Sequence, residues 1–200
     1  MSEQKKKHDY SPIVVLESFA KGLANEGDRA TVILVAAKLD LLLYQILRKH
    51  LIPAPGSRDD LLDNDGALST FSAKINMAYR LGLIDNLFSR SLHLIRKIRN
   101  DFAHEVEGCS LNSGSHRDRV RELIALARNL EFFKKSCGIL EEGDKFTLIS
   151  IQFRIMVGLV CLDLENLYEE CNILVGKDAL DLLHTVKINI SKTISETDKS

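Results

Sequence analysis

The 200 residues of the chain are enough for one domain with a core of its own, so neither a disulfide nor a structural metal is needed to hold it together. An apolar share of 45% and a charged share of 28% are typical of a soluble globular protein, and the abundant leucine and scarce proline favour helices. A net charge of -1 gives no general attraction to nucleic acid, which argues against a non-specific DNA-binding protein.

The N-terminal segment does not resemble a signal peptide, because Glu17 and Lys21 interrupt its apolar run. Residues 1–10 are polar, and we expect them to form a disordered tail. The longest charge-free apolar runs, "ATVILVAA" and "IMVGLVCL", have eight residues each, whereas a helix needs about 20 to span a membrane. We therefore expect a cytoplasmic protein that does not contact the membrane.

Two helices are predicted before the first proline-rich loop. Ser11, followed by proline, is a typical helix start and predicts a helix to about Ala24. Asp28 is predicted to cap a long helix near 29–51, which Pro53 ends. This second helix is apolar on nearly all sides, which predicts a central position with neighbours around it.

The breaker-rich stretch 53–68 predicts a surface loop, whose four aspartates lack the spacing of an EF-hand calcium loop. Ser69 or Ser72 is predicted to start the next helix, which stops near Gly82. Asp85 is then predicted to open the helix that carries the stretch "LIRKIRNDFAH".

The second half of the chain also predicts helices, and no alternation of apolar and polar residues predicts a strand. One apolar stripe follows the loop "GCSLNSGSH": Val120, Leu123, Leu126, Leu130 and Phe133. The run near 147–173 is apolar enough for a second central helix, and a tail helix is predicted at 177–194. The sequence predicts one all-α domain, a bundle of six or seven helices over 11–174, followed by a C-terminal helix and tail at 175–200.

The stretch "LIRKIRNDFAHEVEG", residues 94–108, is the candidate for function. On a helix its apolar residues form one stripe: Leu94, Ile95, Ile98, Phe102 and Val106. The opposite side carries the polar residues His93, Arg96, Lys97, Asn100 and His104. Arg99 lies at the edge between the two sides, and Asn100 and His104 stack one turn above the other.

These residue types are suited to chemistry on a phosphodiester. Arg99 would stabilise charge that develops on the phosphate, and His104, which titrates near neutrality, would transfer a proton. Asn100 would orient the histidine or bind the substrate, and no metal or other cofactor is required. The alternative is a solvated polar helix face that ends near Gly108. Since an RxxxxH pattern with variable spacing occurs by chance about once in such a chain, the spacing alone does not decide.

The four cysteines are predicted to be free thiols, since they form no CxxC pair and have no histidine at zinc-finger spacing. On one helix, Cys161 and Cys171 would lie roughly 15 Å apart, too far for a disulfide. The histidines His8, His50, His116 and His184 are scattered and are predicted to lie on the surface. The sequence thus predicts no metal site.

Four segments, "GDRATVILVAAKLDLLLYQIL", "FSAKINMAYRLGLI", "LIRKIRNDFAH" and "DKFTLISIQFRIMVGL", resemble the mannitol operon repressor (MltR-like) family of bacterial all-helical proteins. The resemblance covers about residues 25 to 170. It implies a transcriptional repressor of a sugar-alcohol uptake operon. No helix-turn-helix stands out in the sequence, so we expect control through a protein partner of unknown identity rather than direct DNA binding.

The same motif resembles the HEPN superfamily of helical domains, in whose RNA-cleaving members an arginine and a polar residue precede a histidine. Arg99, Asn100 and His104 match those positions, and Asp101 adds a nearby acid. The resemblance implies a site shared between the two copies of a homodimer and RNA cleavage without a metal. Other members of the superfamily are binding modules without catalytic activity.

Two interpretations follow from the sequence. The first is a cytoplasmic MltR-like regulator that we expect to be a dimer. In it the polar side of the 94–106 helix contacts a protein partner through four binding residues: His93, Arg96, Lys97 and Asp101. The second is a HEPN-type endoribonuclease that uses Arg99 and His104, supported by Asn100.

Overall fold

The computed structural model describes residues 21–23, 25–63, 65–105, 108–127 and 149–174. All regular structure in these ranges is helical, which confirms the predicted all-α fold. Residues 21–23 are helical, but the rest of the helix predicted from Ser11 lies outside the described residues, as do the N-terminal tail and the tail helix predicted at 177–194.

Five helices have bounds within the described ranges. They are α1 (Asp28–His50), α2 (Phe71–Arg80), α3 (Asn86–His104), α4 (Gly114–Ala127) and α5 (Ile149–Glu170). Between α1 and α2 the described residues form turns without a helix, which agrees with the loop predicted at 53–68. The central helix predicted near 147–173 ends at Glu170, and residues 147 and 148 lie outside the described residues.

Helix α1 lies at the centre of the bundle and contacts α2, α3 and α5. Its buried side chains include Val35, Leu39 and Leu43. By length and composition α1 could also cross a membrane, but half of its most apolar window is buried against the rest of the chain. Its charged Lys38 pairs with Glu165 of α5 at 2.6 Å. These contacts favour a core helix.

The start of α1 differs from the prediction that Asp28 is its cap. Gly27 occupies the N-cap position and makes no side-chain hydrogen bond, while Asp28 is the first residue of the helix. The Asp28 carboxylate instead accepts a hydrogen bond from the backbone N–H of Leu111 at 2.9 Å. The carboxylate therefore joins α1 to a loop that is distant in sequence.

Local signals fix both ends of α2. Thr70, rather than Ser69 or Ser72, is the N-cap, and its hydroxyl accepts a hydrogen bond from the Ala73 N–H at 3.1 Å. Gly82 follows the helix with a φ of 72°, a conformation that glycine adopts without strain. The N–H of the next residue, Leu83, bonds back into the helix, which completes a Schellman ending. The helix therefore stops near Gly82, as predicted.

Helix α3 begins as predicted, because Asp85 is its N-cap and accepts a hydrogen bond from the Phe88 N–H at 2.7 Å. The predicted apolar stripe of α3 is buried at Leu94, Ile95, Ile98 and Phe102. The fifth residue of that stripe, Val106, lies outside the described residues. Because the stripe faces the core, the polar side of α3 faces outward.

Helices α4 and α5 complete the described core. Val120 and Leu123 of α4 are buried as predicted. Three cysteines are free thiols, as expected: Cys109, Cys161 and Cys171. Burial raises the pKa of Cys161 to about 12, so its thiol stays protonated. Leu130, Phe133 and Cys137 lie outside the described residues.

An ion pair between Lys74 and Asp40 joins α2 to α1, and breaking this pair tests how much it stabilises the packing of the two helices. The Lys74 side chain is 5% exposed, and its Nζ lies 2.7 Å from Asp40 Oδ1. Replacing Asp40 by Ala leaves this buried ammonium without its counter-ion. Because Asp40 itself is 36% exposed and Lys74 keeps a bond to the Ser69 carbonyl, we expect a loss of about 1–3 kcal/mol in the free energy of unfolding.

Urea unfolding of Asp40→Ala measures this loss. The matched control is Asp60→Ala, which breaks the exposed pair with Arg58 and is expected to change the free energy of unfolding by less than about 0.5 kcal/mol. Equal effects of the two substitutions would contradict the structural role of the Lys74 pair.

Candidate functional site

The outward side of α3 carries the residues predicted for catalysis. Arg99 is exposed, and its Nη1 donates a hydrogen bond to Asn100 Oδ1 at 2.9 Å. His104 is the last residue of α3 and is exposed. No hydrogen bond within the described residues joins His104 to Arg99 or Asn100. The structure thus brings Arg99 and Asn100 together and leaves the imidazole accessible.

One turn earlier, three of the predicted binding residues lie close together. The Nε2 atom of His93 lies 3.0 Å from the Asn76 Oδ1 atom on α2. Desolvation lowers the pKa of His93, and the positive charges of Arg96 and Lys97 lower it further. Lys97 is exposed and Arg96 is half-buried. These residues make the middle of the outward side positively charged.

Asp101, the fourth predicted binding residue, lies apart from this group. Its carboxylate forms an ion pair with Arg119 of α4. The Asp101 Oδ2 atom is also 3.9 Å from the Nδ1 atom of His116. Asp101 therefore faces the junction of α3 with α4 rather than the Arg99 side of the helix.

The prediction that His116 lies on the surface is wrong. His116 is 5% exposed, and its ring stacks at an angle against the buried Phe102 ring with a centroid distance of 4.6 Å. Its Nε2 atom is 2.9 Å from the Glu105 carboxylate. Packing against α3 removes this histidine from water, an effect that its sequence neighbours do not reveal.

His116 belongs to a cluster with Glu105 and Cys109. The Cys109 thiol donates a hydrogen bond to Glu105 Oε2 at 3.0 Å, and the same oxygen contacts His116. One potential ligand atom from each of the three residues lies within 4.8 Å of the other two. We call these three residues the Glu-Cys-His cluster.

The hydrogen bonds within the cluster shift the pKa values of two members. The bond donated by Cys109, followed by that from His116, lowers the pKa of Glu105. The same bond to the Glu105 carboxylate raises the pKa of the Cys109 thiol. Arg29 of α1 lies 3.4 Å from Cys109 Sγ and donates to the Glu105 carbonyl. A charged arginine therefore lies beside the cluster.

The loop that carries Cys109 is held at two further points. Asp28 accepts the Leu111 N–H, and Asn112 exchanges two hydrogen bonds with Ser150 of α5. Leu111 itself is fully buried. The loop that carries Cys109, between α3 and α4, is therefore fixed to both central helices.

The sequence did not indicate this cluster, because its residues lack zinc-finger spacing. Glu105, Cys109 and His116 fall within twelve consecutive residues, and that short span is the signal that could have found them. The contribution of Arg29 had no such signal, since it is 76 residues from Glu105 in the chain.

The described residues define an all-α helical bundle. A solved structure with a similar fold, the X-ray structure of the MtlR-HPr complex from Escherichia coli, matches 76% of this chain and 97% of the chain compared, with a TM-score of 0.54 and 16% identity. At that identity the likeness shows the fold alone. No protein-family model matches the sequence, and no curated protein matches it.

The lowered pKa of His93 makes the stability depend on pH. The unfolded chain binds a proton to this side chain near its ordinary pKa of 6.5, whereas the folded chain binds it only at lower pH. The contribution of neutral His93 to stability is therefore present above pH 6.5 and is lost as the pH falls below that value. Urea unfolding at a series of pH values measures this loss.

His93→Gln is the variant that isolates the effect, because glutamine keeps a polar partner for Asn76 without titrating. We expect the variant to lose less stability than the wild type on acidification. Parallel pH profiles for the two proteins would show that His93 has no shifted pKa.

Proposed function

We propose that this chain is a cytoplasmic transcriptional regulator of the mannitol operon repressor type, which acts by binding a protein partner. The proposal is supported by the outward side of α3, whose exposed cations form a surface on the central bundle. It is also supported by the similar fold in the MtlR-HPr complex, in which a protein is bound. HPr, or a protein like it, is the partner that we propose for this chain.

The main support for the proposal is the positive charge on the outward side of α3. From residue 86 to residue 100 the helix contains no acidic residue. Arg90 pairs with Glu122, but the three cations Arg96, Lys97 and Arg99 have no carboxylate partner within the described residues. Unpaired cations on one helix face attract a partner with an acidic surface and increase the rate of association.

Charge reversal on this surface tests the proposal. Lys97 and Arg99 are both exposed, so Lys97→Glu combined with Arg99→Glu removes positive charge without disturbing the core. We expect HPr from the same organism to bind the wild-type chain and to bind the double variant at least about tenfold more weakly, because like charges at an interface are unfavourable. Isothermal titration calorimetry measures both affinities.

Arg58→Glu provides the matched control, since Arg58 is an exposed arginine in the loop after α1. We expect its affinity for HPr to equal that of the wild type. The proposed partner would be wrong if HPr did not bind the folded wild-type chain. The proposed surface would be wrong if both charge-reversal proteins bound equally well.

A second candidate function is a HEPN-type endoribonuclease, which the accessible imidazole of His104 and the bond between Arg99 and Asn100 favour. Under this proposal His104 transfers the proton, Arg99 stabilises the phosphate charge, and Asn100 positions Arg99 or the RNA. A site shared by two copies would require a homodimer, which remains a prediction for either function.

Cleavage of labelled single-stranded RNA in the presence of EDTA tests this second candidate. We expect the wild type to cleave and His104→Ala to lose at least about 100-fold in rate, because general acid–base catalysis contributes at least this much. Arg58→Ala, at an exposed arginine in the loop after α1 and outside both proposed surfaces, is expected to keep its activity. The nuclease proposal fails if the folded wild type does not cleave, or if His104→Ala cleaves as fast.

A further inference from the structure

The Glu-Cys-His cluster has the composition of a transition-metal site. A thiolate, an imidazole and a carboxylate are the three donor types that zinc takes from proteins. Around a tetrahedral zinc ion such donor atoms lie roughly 3.3–3.8 Å apart. Here Glu105 Oε2 is 2.9 Å from His116 Nε2 and 3.0 Å from Cys109 Sγ. A small widening of these two distances makes room for the ion.

The far side of the His116 ring supplies an independent observation. Its Nδ1 atom is buried and has no hydrogen-bond partner within the described residues. The Asp101 Oδ2 atom, which pairs with Arg119 of α4, lies 3.9 Å from His116 Nδ1. Histidines that bind metals usually donate their other N–H to a carboxylate. Asp101 is placed to accept that N–H after a short movement.

We propose that Glu105, Cys109 and His116 bind one divalent zinc ion, with Asp101 orienting His116. The thiol and imidazole protons that now point at Glu105 occupy the positions that the ion would take. On binding, the Cys109 proton leaves to solvent, and His116 binds the ion through Nε2 with its ring proton on Nδ1. Binding therefore releases the thiol proton and forms three bonds from protein atoms to the metal.

The local charges are compatible with this assignment. Thiolate and carboxylate together balance the two positive charges of zinc. Arg29 adds a positive charge beside the site, but its guanidinium points at Cys109 Sγ at 3.4 Å and donates a hydrogen bond that stabilises a thiolate. Asp101 and Arg119 form a pair of their own. The ion therefore enters a site without excess negative charge.

Three protein donors leave a fourth position of a tetrahedral ion to water or to a donor from another molecule. The ion would also join the end of α3 to the start of α4, because Glu105 directly follows α3 and His116 lies in the first turn of α4. Metal binding would thereby fix the position of His104, which precedes Glu105 in the chain. This inference is independent of the proposed function.

Titration of the reduced, untagged full chain with Co²⁺ tests the proposal, because tetrahedral cobalt bound to a thiolate has a characteristic visible and near-ultraviolet spectrum. We expect this spectrum to saturate at one equivalent and to disappear when Zn²⁺ displaces the cobalt. Equimolar Zn²⁺ should also raise the melting temperature, since the ion binds the folded chain. Absence of the spectrum in folded wild-type protein would overturn the proposal.

Cys109→Ser is the decisive variant, because Cys109 is only partly buried and serine has nearly the same size. We expect it to lose the thiolate band, whereas Cys171→Ser keeps the band as the matched control. A band that survives in Cys109→Ser would place the metal elsewhere and overturn the assignment.

The role of Asp101 has its own pair of variants. Asp101→Asn should weaken zinc binding about ten- to hundredfold, while Arg119→Met breaks the same ion pair but keeps the carboxylate and should bind normally. If both substitutions weakened zinc binding equally, the loss of affinity would come from the broken ion pair. Asp101 would then have no role in orienting His116.

Discussion

The structure depends on the burial of α1 against three other helices. Its apolar side chains, such as Val35 and Leu43, fill the space between α2, α3 and α5. Because burial of apolar area is the main favourable contribution to folding, these contacts set where the other helices lie. They also turn the apolar stripe of α3 inward, which leaves its cations in solvent.

The functional features follow from this arrangement at one end of the bundle. Asp28, at the start of α1, binds the loop after α3, and Arg29 reaches the Glu105 carbonyl in the same region. The loop is therefore ordered by long-range contacts. Two different surfaces therefore meet at this end of the bundle. The outward side of α3 is basic and accessible, whereas the Glu-Cys-His cluster lies against α4.

Much of the fold could be predicted from local sequence signals. Asp85 caps α3, and Gly82 ends α2, because each acts on its own helix terminus. The same reasoning failed for Asp28, whose carboxylate has a partner 83 residues away. It failed for His116 as well, because a histidine on a short polar segment becomes buried only when α4 packs on Phe102. The spacing of apolar residues along one helix does not predict contacts between segments that are distant in the sequence.

Binding of a protein partner to the outward side of α3 is tested most directly by the reactivity of Lys97. Amine-selective labelling followed by mass spectrometry would compare the chain alone with its complex with HPr. We expect HPr to protect Lys97 and to leave Lys49, on α1, as reactive as before. A complex in which Lys97 stays fully reactive would contradict it, since the partner would then bind another surface.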